Sequence, residues 1–145
     1  MLDQLLVGTA VSICNITIHS LLMTAVVSVS RSTSTIRASH PSLLLTCVMI
    51  ATALVLMAAH TCEVIVWALA YRMFDAAPAG SGLIYFAFVN YTTLGYGDVL
   101  PKADWQLFGP MTAMNGVLLF GWSTAVIFQV LSRAMARTAG DMTLD

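Results

Sequence analysis

The chain alternates long apolar runs with short polar stretches, and three of the apolar runs are long enough to cross a membrane. The first covers residues 5–29 and contains no Asp, Glu, Lys or Arg. About 25 helical residues, at 1.5 Å per residue, span a hydrocarbon core about 30 Å thick. The second run covers residues 43–71 and the third covers residues 105–135. This pattern predicts an all-α membrane protein with three transmembrane helices.

A fourth apolar run, residues 83–92, is rich in aromatic side chains but is only about ten residues long, too short to cross a bilayer. We interpret it as a re-entrant helix that enters the membrane and returns to the same side. Residues 72–82 contain one proline and two glycines, which is typical of a surface loop. Residues 31–41, with several hydroxyls, two arginines and a proline, predict a connecting loop.

The stretch 91–98 follows the short helix and is too polar for a membrane span. Gly95 and Gly97 flank Tyr96, so the main chain there has access to conformations that a Cβ forbids. Successive carbonyl oxygens can then turn to one side and form a cation site. Irregular backbone at membrane depth is tolerated only where protein buries it or where it lines a watery path. The stretch is therefore predicted to bind or conduct a cation.

Residues 93–98, with the sequence Thr-Leu-Gly-Tyr-Gly-Asp, resemble the selectivity-filter signature of potassium channels. Leu94 stands where that family usually has Val or Ile, a change that bears on packing behind the filter. The resemblance extends to Pro101 and Trp105 and covers roughly residues 43–133. It leaves the first apolar run unexplained.

The resemblance implies a homotetramer in which four copies of the filter surround an axis, in keeping with the closed symmetry of homo-oligomers. Asp98 is expected at the outer mouth, and Gly116 lies near the position of the family's inner-helix hinge glycine. K⁺ is the expected permeant ion, with no organic cofactor. The implied filter residues are Thr93, Leu94, Gly95, Tyr96 and Gly97, of which the first four offer carbonyls to K⁺.

We divide the chain into an N-terminal transmembrane helix with its loop, a potassium-channel-like pore domain and a polar tail. The corresponding ranges are 1–42, 43–137 and 138–145, with an outer helix at 43–71, a pore helix at 83–92, a filter at 93–97 and an inner helix at 105–135.

Glu63 is the one acidic residue within a predicted span, and His60 lies on the same helical face at i−3. An ionisable group at membrane depth is a functional hypothesis by default. We expect the pair to support the filter from behind, with two alternatives: a hydrated acid paired with Arg72, or a two-ligand metal site. His19 in the first run is expected to bond to another helix, the alternative being a pH sensor or a metal ligand.

Polar side chains within the first run are expected to face other helices rather than lipid. Three cysteines occur in apolar runs without metal-ligand spacing, and we expect them to be small core residues rather than disulfides. The polar residues concerned include Ser12, Asn15, Thr17 and Thr24, and the cysteines are Cys14, Cys47 and Cys62.

The charges are few, 9% of residues with a net charge of −1, and form no basic run for nucleic acid. Four of the six Lys and Arg residues lie on the side opposite the filter mouth, so the positive-inside rule predicts an external N-terminus and an internal C-terminus. A bacterial inner membrane is the expected location. The four are Arg31, Arg37, Arg133 and Arg137, and the other two are Arg72 and Lys102.

These features together favour passive K⁺ conduction, with a weakly selective channel or a non-conducting membrane subunit as alternatives. No nucleophile with an adjacent base is evident, so an enzyme is not expected. Two registers of the inner helix are open for the cavity lining: Leu118, Gly121, Ala125 and Gln129, or Val117, Phe120, Thr124 and Phe128.

Overall fold

The structure, a computed structural model, describes residues 1–32 and 41–141. Three of its helices are long and apolar enough to cross a membrane, at Leu2–Ser28, Ser42–Met73 and Ala103–Ala136, and no strand occurs within the described ranges. The predicted all-helical class with three spans is confirmed. The helices are α1 (Leu2–Ser32), α2 (Pro41–Met73), α3 (Leu83–Tyr91) and α4 (Phe108–Asp141), with a 3₁₀ turn at Ala103–Trp105.

α2 and α3 begin and end within two residues of the expected bounds, whereas α4 continues to Asp141, six residues beyond the expected end of the inner helix and into the predicted polar tail. α2 begins at Pro41, which suits a first helical position because the missing N–H has no intrahelical partner there. α4 begins at Phe108 rather than at 105, since the chain first makes the 3₁₀ turn, in which the Trp105 N–H donates to the Lys102 carbonyl at 2.8 Å. Most of the predicted loop 31–41 lies outside the described residues.

An aromatic cluster holds the short helix α3 between α2 and α4. Tyr71 of α2 lies between Phe86 of α3 and Phe108 of α4, with ring centroids 4.7 and 5.6 Å apart. Trp67 meets Phe108 edge-on at 5.7 Å. These four rings are buried, and tilted or edge-on contacts add to the stabilisation from burial. The cluster fixes the depth and direction at which α3 ends.

A second, aliphatic cluster joins α1, α2 and α4 in the other half of the molecule. Each long helix contributes one or two of its buried members. α1 is therefore an integral part of the three-helix packing. They are Met23, Val26, Leu56, Val126 and Val130.

A buried hydrogen bond joins the middle of α1 to α4. The Asn15 side-chain amide donates to the Asn115 side-chain oxygen at 3.1 Å, and the Trp67 indole N–H donates to the same oxygen at 3.0 Å. Asn15 and His19 are fully buried, which confirms that these polar residues face other helices.

Other expectations about the first helix and the cysteines are wrong. Thr17 and Thr24 are exposed on α1 and donate their hydroxyl hydrogens to the carbonyls four residues earlier, which satisfies them without a second helix. The cysteines are also exposed, not core, because each falls on the outer face of its helix. They are Cys14 on α1 and Cys47 and Cys62 on α2.

The first residues of α1 lie beside the turn that follows the filter. The Gln4 amide donates to the Asp104 carbonyl at 2.5 Å, and its side-chain oxygen accepts from the Leu107 N–H at 3.0 Å. The N-terminus therefore lies at the same end of the molecule as the filter mouth, as the three-span topology requires.

Candidate functional site

The backbone after α3 alternates between left-handed and ordinary conformations. φ is +61° at Thr93, +55° at Gly95 and +76° at Gly97, whereas Leu94 and Tyr96 have no positive φ. In an extended strand successive carbonyls point to opposite sides, and alternating the sign of φ rotates the peptide planes so that they can face one side. A left-handed β-branched residue is strained, and Thr93 is one of only two non-glycine residues with positive φ in the described chain. The segment therefore has the backbone that the glycine pattern predicted.

The end of α3 leads directly into this segment. The Thr93 N–H donates to the Asn90 carbonyl at 3.1 Å, and the Leu94 N–H donates to the Val89 carbonyl at 3.0 Å. These bonds satisfy carbonyls that a helix end otherwise leaves free. Residues 93 and 94 are thus held against the helix terminus rather than in a free loop.

The filter segment is uncovered within a single chain. Leu94 is 53% exposed and Tyr96 is 69% exposed, although both are large and apolar. Within the single chain, Leu94 therefore lacks the cover expected of a side chain that packs behind the filter, and Tyr96 is uncovered as well.

Contacts at the predicted mouth join the segment after residue 97 to α3 and to the loop before it. The Tyr85 hydroxyl donates to the Asp98 carboxylate at 2.9 Å, and this bond raises the pKa of the Tyr85 phenol. Lys102 binds the Asp75 carboxylate at 2.5 Å, and its N–H donates to the Ala76 carbonyl at 2.9 Å. Asp98 thus keeps a carboxylate at the surface beside Gly97.

Glu63 lies behind the end of α3 and is fully buried. Its carboxylate accepts a hydrogen bond from the Tyr91 hydroxyl and lies 2.9 Å from His60 Nδ1 and 2.8 Å from His19 Nδ1. The alternative of a hydrated acid paired with Arg72 is wrong, because the contacts of this carboxylate come from α1, α2 and α3. Tyr91 is two residues before Thr93, so the acid is in place to hold the end of the pore helix.

The same two histidines meet α4 through their other ring nitrogens. His60 Nε2 lies 2.9 Å from the Ser123 hydroxyl, and His19 Nε2 lies 3.4 Å from it. Phe120 packs on the His60 ring at 4.6 Å and Trp122 packs on the His19 ring at 5.3 Å. Five side chains from four helices therefore form one polar cluster: His19, His60, Glu63, Tyr91 and Ser123.

The i, i+3 spacing of His60 and Glu63 was readable from the sequence, but the other members of this cluster were not. His19 carried a weak signal as a polar residue within a span. Tyr91 looked like one of several packing aromatics and Ser123 like one of many small residues in the third run. Their meeting depends on contacts between residues far apart in the chain, which a local pattern does not encode.

Gly116 lies where α4 crosses the end of the pore helix. A Cβ at this position would be 2.0 Å from the Tyr91 carbonyl oxygen, a backbone atom that no side-chain rotation can move. Gly121, one turn and a half further, has nothing within 4 Å of the point where a Cβ would lie. Close packing accounts for Gly116, and the hinge stays a prediction.

The comparisons with known proteins agree with this architecture. A family model described as "Ion channel" matches residues 59–133, a range that begins in the middle of α2 and ends near the last apolar turn of α4. No curated protein and no solved structure matches the chain. The match covers just over half of the chain and includes α3, the segment after it and every residue of the cluster behind it except His19, and the chain belongs to the ion channel family.

Proposed function

We propose that this protein is a K⁺-selective channel in which four copies of the filter segment surround one axis. The observation that carries the proposal is the alternation of left-handed and ordinary backbone from Thr93 to Gly97. Four strands of this kind present rings of carbonyl oxygens that replace the water around K⁺. The exposed Leu94 and Tyr96 side chains then pack against neighbouring copies.

Conduction follows from the repetition of these rings along the axis. K⁺ sheds its water to the carbonyls of residues 93–96, with the Thr93 hydroxyl at the inner end. K⁺ ions that occupy adjacent sites at the same time repel each other, so each ion leaves as readily as it enters. α3 directs its C-terminal end toward the axis, where its partial negative charge favours a cation. Four Asp98 carboxylates at the mouth raise the local K⁺ concentration, an effect that salt screens.

Glu63 supports the filter through Tyr91 in this proposal. A carboxylate that accepts from the Tyr91 hydroxyl fixes the last turn of α3, and the two histidines fix the carboxylate. The filter strand begins two residues later, so a displaced Tyr91 also displaces the innermost carbonyl. Glu63 and His60 thus act as positioning residues that never touch the ion.

The packing of α4 favours one of the two cavity registers. Leu118, Gly121, Ala125 and Gln129 are all exposed in the single chain, and so are Val117, Thr124 and Phe128 of the second register. Phe120, which the second register needs, instead packs on His60 and Tyr91 within its own chain. We therefore assign the first register to the cavity.

The filter mouth faces outward in the proposed orientation, with the C-terminus inside a bacterial inner membrane. The positive-inside count supports this direction. The bonds from Gln4 to Asp104 and Leu107 support an N-terminus on the mouth side.

Flux in liposomes tests the proposal. The purified protein is reconstituted with a K⁺ gradient, and flux is followed with and without Ba²⁺ and again with Na⁺ in place of K⁺. We expect K⁺ flux that Ba²⁺ blocks and a much smaller Na⁺ flux. Equal Na⁺ and K⁺ flux would replace the proposal with a weakly selective channel, and no flux over a wide range of voltage and pH would replace it with a non-conducting subunit.

A pair of glycine variants ties the flux to the filter. Gly95→Ala places a side chain at φ +55° in the filter, and Gly80→Ala does the same at φ +80° in the loop before α3. Left-handed alanine costs about 1–2 kcal/mol at either site. If K⁺ passes along the backbone at residue 95, Gly95→Ala should lower K⁺ flux roughly tenfold or more, whereas Gly80→Ala should leave it unchanged. Equal loss in both variants would point to folding rather than to the filter.

A further inference from the structure

The three titratable side chains of the polar cluster converge closely enough to bind a common ion. One ligand atom from each of His19, His60 and Glu63 lies within 4.8 Å of the others. We propose that these side chains form a binding site for a divalent transition-metal ion of the Zn²⁺ class, which fastens α1 to the pore-forming helices. The site is separate from the proposed K⁺ path and requires no conduction.

The donor set suits such an ion. Two imidazole nitrogens and one carboxylate oxygen are common protein ligands of Zn²⁺, which takes them at about 2.0–2.2 Å. His19 comes from α1, whereas His60 and Glu63 come from α2, so one ion would bridge two spans. The i, i+3 spacing on α2 places its two ligands on one face.

The distances require only a small opening of the cluster. His19 Nδ1 lies 2.8 Å from one carboxylate oxygen of Glu63, His60 Nδ1 lies 2.9 Å from the other, and one ligand atom from each residue lies within 4.8 Å of the others. Tetrahedral ligands about 2.0 Å from a metal lie about 3.3 Å from one another. Each pair therefore separates by a few tenths of an ångström, a change within the reach of side-chain rotation.

The outer ring nitrogens provide the strongest support. A histidine that ligates through Nδ1 carries its hydrogen on Nε2 and usually donates it to an oxygen. Here both Nε2 atoms face one oxygen, that of Ser123, at 2.9 and 3.4 Å. A hydroxyl has two lone pairs and can accept both hydrogens, so a bound metal gives every ring nitrogen a partner.

Without a metal, two neutral imidazoles leave one ring nitrogen without a hydrogen-bond partner. If both Nδ1–H groups donate to Glu63, both Nε2 atoms need a donor, and the Ser123 hydroxyl has one hydrogen. One Nε2 atom would then be left without a hydrogen in a buried setting. Burial makes such an unpaired acceptor costly.

The charge of the cluster also suits a bound cation. The Glu63 carboxylate is fully buried, and its ion-pair partners in the described chain are His19 and His60, which are positively charged only when protonated. A buried carboxylate is stable only when paired or bound to a metal. The Tyr91 oxygen, 3.0 Å from His60 Nδ1, or a water molecule can fill a fourth position. The His60 side chain is 14% exposed and gives an ion a way in.

Direct metal binding to the full-length protein tests the proposal. The protein, with its three cysteines changed to Ser to remove thiol ligands, is loaded with Zn²⁺ and analysed for metal content by mass spectrometry. Affinity is measured by calorimetry. We expect one Zn²⁺ per chain, and no binding in His19→Gln or Glu63→Gln. His40→Gln, which changes the third histidine of the sequence, serves as the matched histidine control and should bind as the parent does.

Two further measurements keep the outcome clear if a ligand variant folds poorly. Ser123→Ala leaves all three ligands in place and should weaken Zn²⁺ binding by about 10–100-fold. Co²⁺ in place of Zn²⁺ should give the strong visible absorption of a tetrahedral site in the parent and lose it in His19→Gln. Absence of bound Zn²⁺ in the parent, or binding that His19→Gln leaves unchanged, would overturn the proposal. Neither readout uses ion flux, so a failure of the channel proposal would be seen separately.

Discussion

At the scale of single residues, contacts with the pore helix distinguish positions that look alike in the sequence. Gly116 and Gly121 both lie within the apolar third run, yet one meets a backbone carbonyl and the other meets nothing within 4 Å. Tyr71 and Tyr91 are both buried tyrosines, yet one bonds to Thr112 and the other to Glu63. Each pair provides a variant and its own control.

The glycine pair predicts opposite responses to alanine. Gly116→Ala should lower stability by about 1–3 kcal/mol, because the new methyl overlaps the Tyr91 carbonyl. Gly121→Ala should be neutral or raise stability by up to about 1 kcal/mol through helix propensity. Thermal unfolding in detergent measures both. If Gly116→Ala is tolerated and Gly121→Ala lowers stability, then Gly121 rather than Gly116 is the closely packed glycine.

The tyrosine pair separates filter support from general stability. Tyr91→Phe and Tyr71→Phe each remove one buried hydroxyl, at a cost of about 1–3 kcal/mol when the partner is left unsatisfied. Only Tyr91→Phe releases Glu63 from the end of α3, so only it should raise the ratio of Na⁺ to K⁺ flux in liposomes. If both variants change that ratio equally, the role given to Glu63 fails.

The sequence could supply part of this detail but not all of it. The positive φ at Gly95 and Gly97 and the contact between His60 and Glu63 depend on adjacent or i, i+3 positions, so the sequence was enough to predict both. The partners His19, Tyr91 and Ser123 are separated from Glu63 by many residues, and only the helix packing brings them together.

At the scale of elements, α1 is the helix that the resemblance to potassium channels left without a role. It packs on both α2 and α4 through the aliphatic cluster, the Asn15–Asn115 bond and the Glu63 cluster. Its length and apolar composition predicted this helix correctly, because a segment that spans a bilayer needs about 20 predominantly apolar residues. Its exposed hydroxyls were harder to predict, since Thr17 satisfies itself within one helix turn.

A double-mutant cycle tests how strongly α1 and α4 are coupled. Asn15→Ala and Asn115→Ala, alone and together, should show a coupling of about 0.6 kcal/mol, the usual strength of an interhelical hydrogen bond in a membrane. Unfolding by a denaturing detergent gives the free energies. The same cycle with Thr17→Ala in place of Asn15→Ala should show none, and a coupling there would contradict the assigned contact.

At the scale of the whole molecule, the packing of the chain ends shows which ends of the helices share one side, and the direction of insertion stays a prediction. Gln4 bonds to Asp104 and Leu107, so the start of α1 and the filter mouth share one side. α4 then carries the chain to the other side. The start points of α2 and α3 agree with the predicted organisation, but the number of copies was an expectation from the family rather than from any pattern in the residues.

Thiol labelling tests this direction. In a cysteine-free background, Asp3→Cys and Ala79→Cys should react with a membrane-impermeant maleimide added outside right-side-out vesicles, because both positions are exposed at the mouth end. Ala136→Cys, at the far end of α4, should react only after the vesicles are opened. The reverse pattern would place the filter mouth inside.

The exposed native cysteines allow the number of subunits to be inferred from distances between labels. A nitroxide attached to Cys14 alone lies on the outer face of α1 and leaves the contacts of that helix with α2 and α4 intact. Four such labels around a closed axis occupy the corners of a square, so dipolar spectroscopy records two separations in a ratio of about 1.4 to one. Two copies or three copies would each give a single separation. The separations measured from one native thiol therefore distinguish four subunits from two or three without any change to the pore.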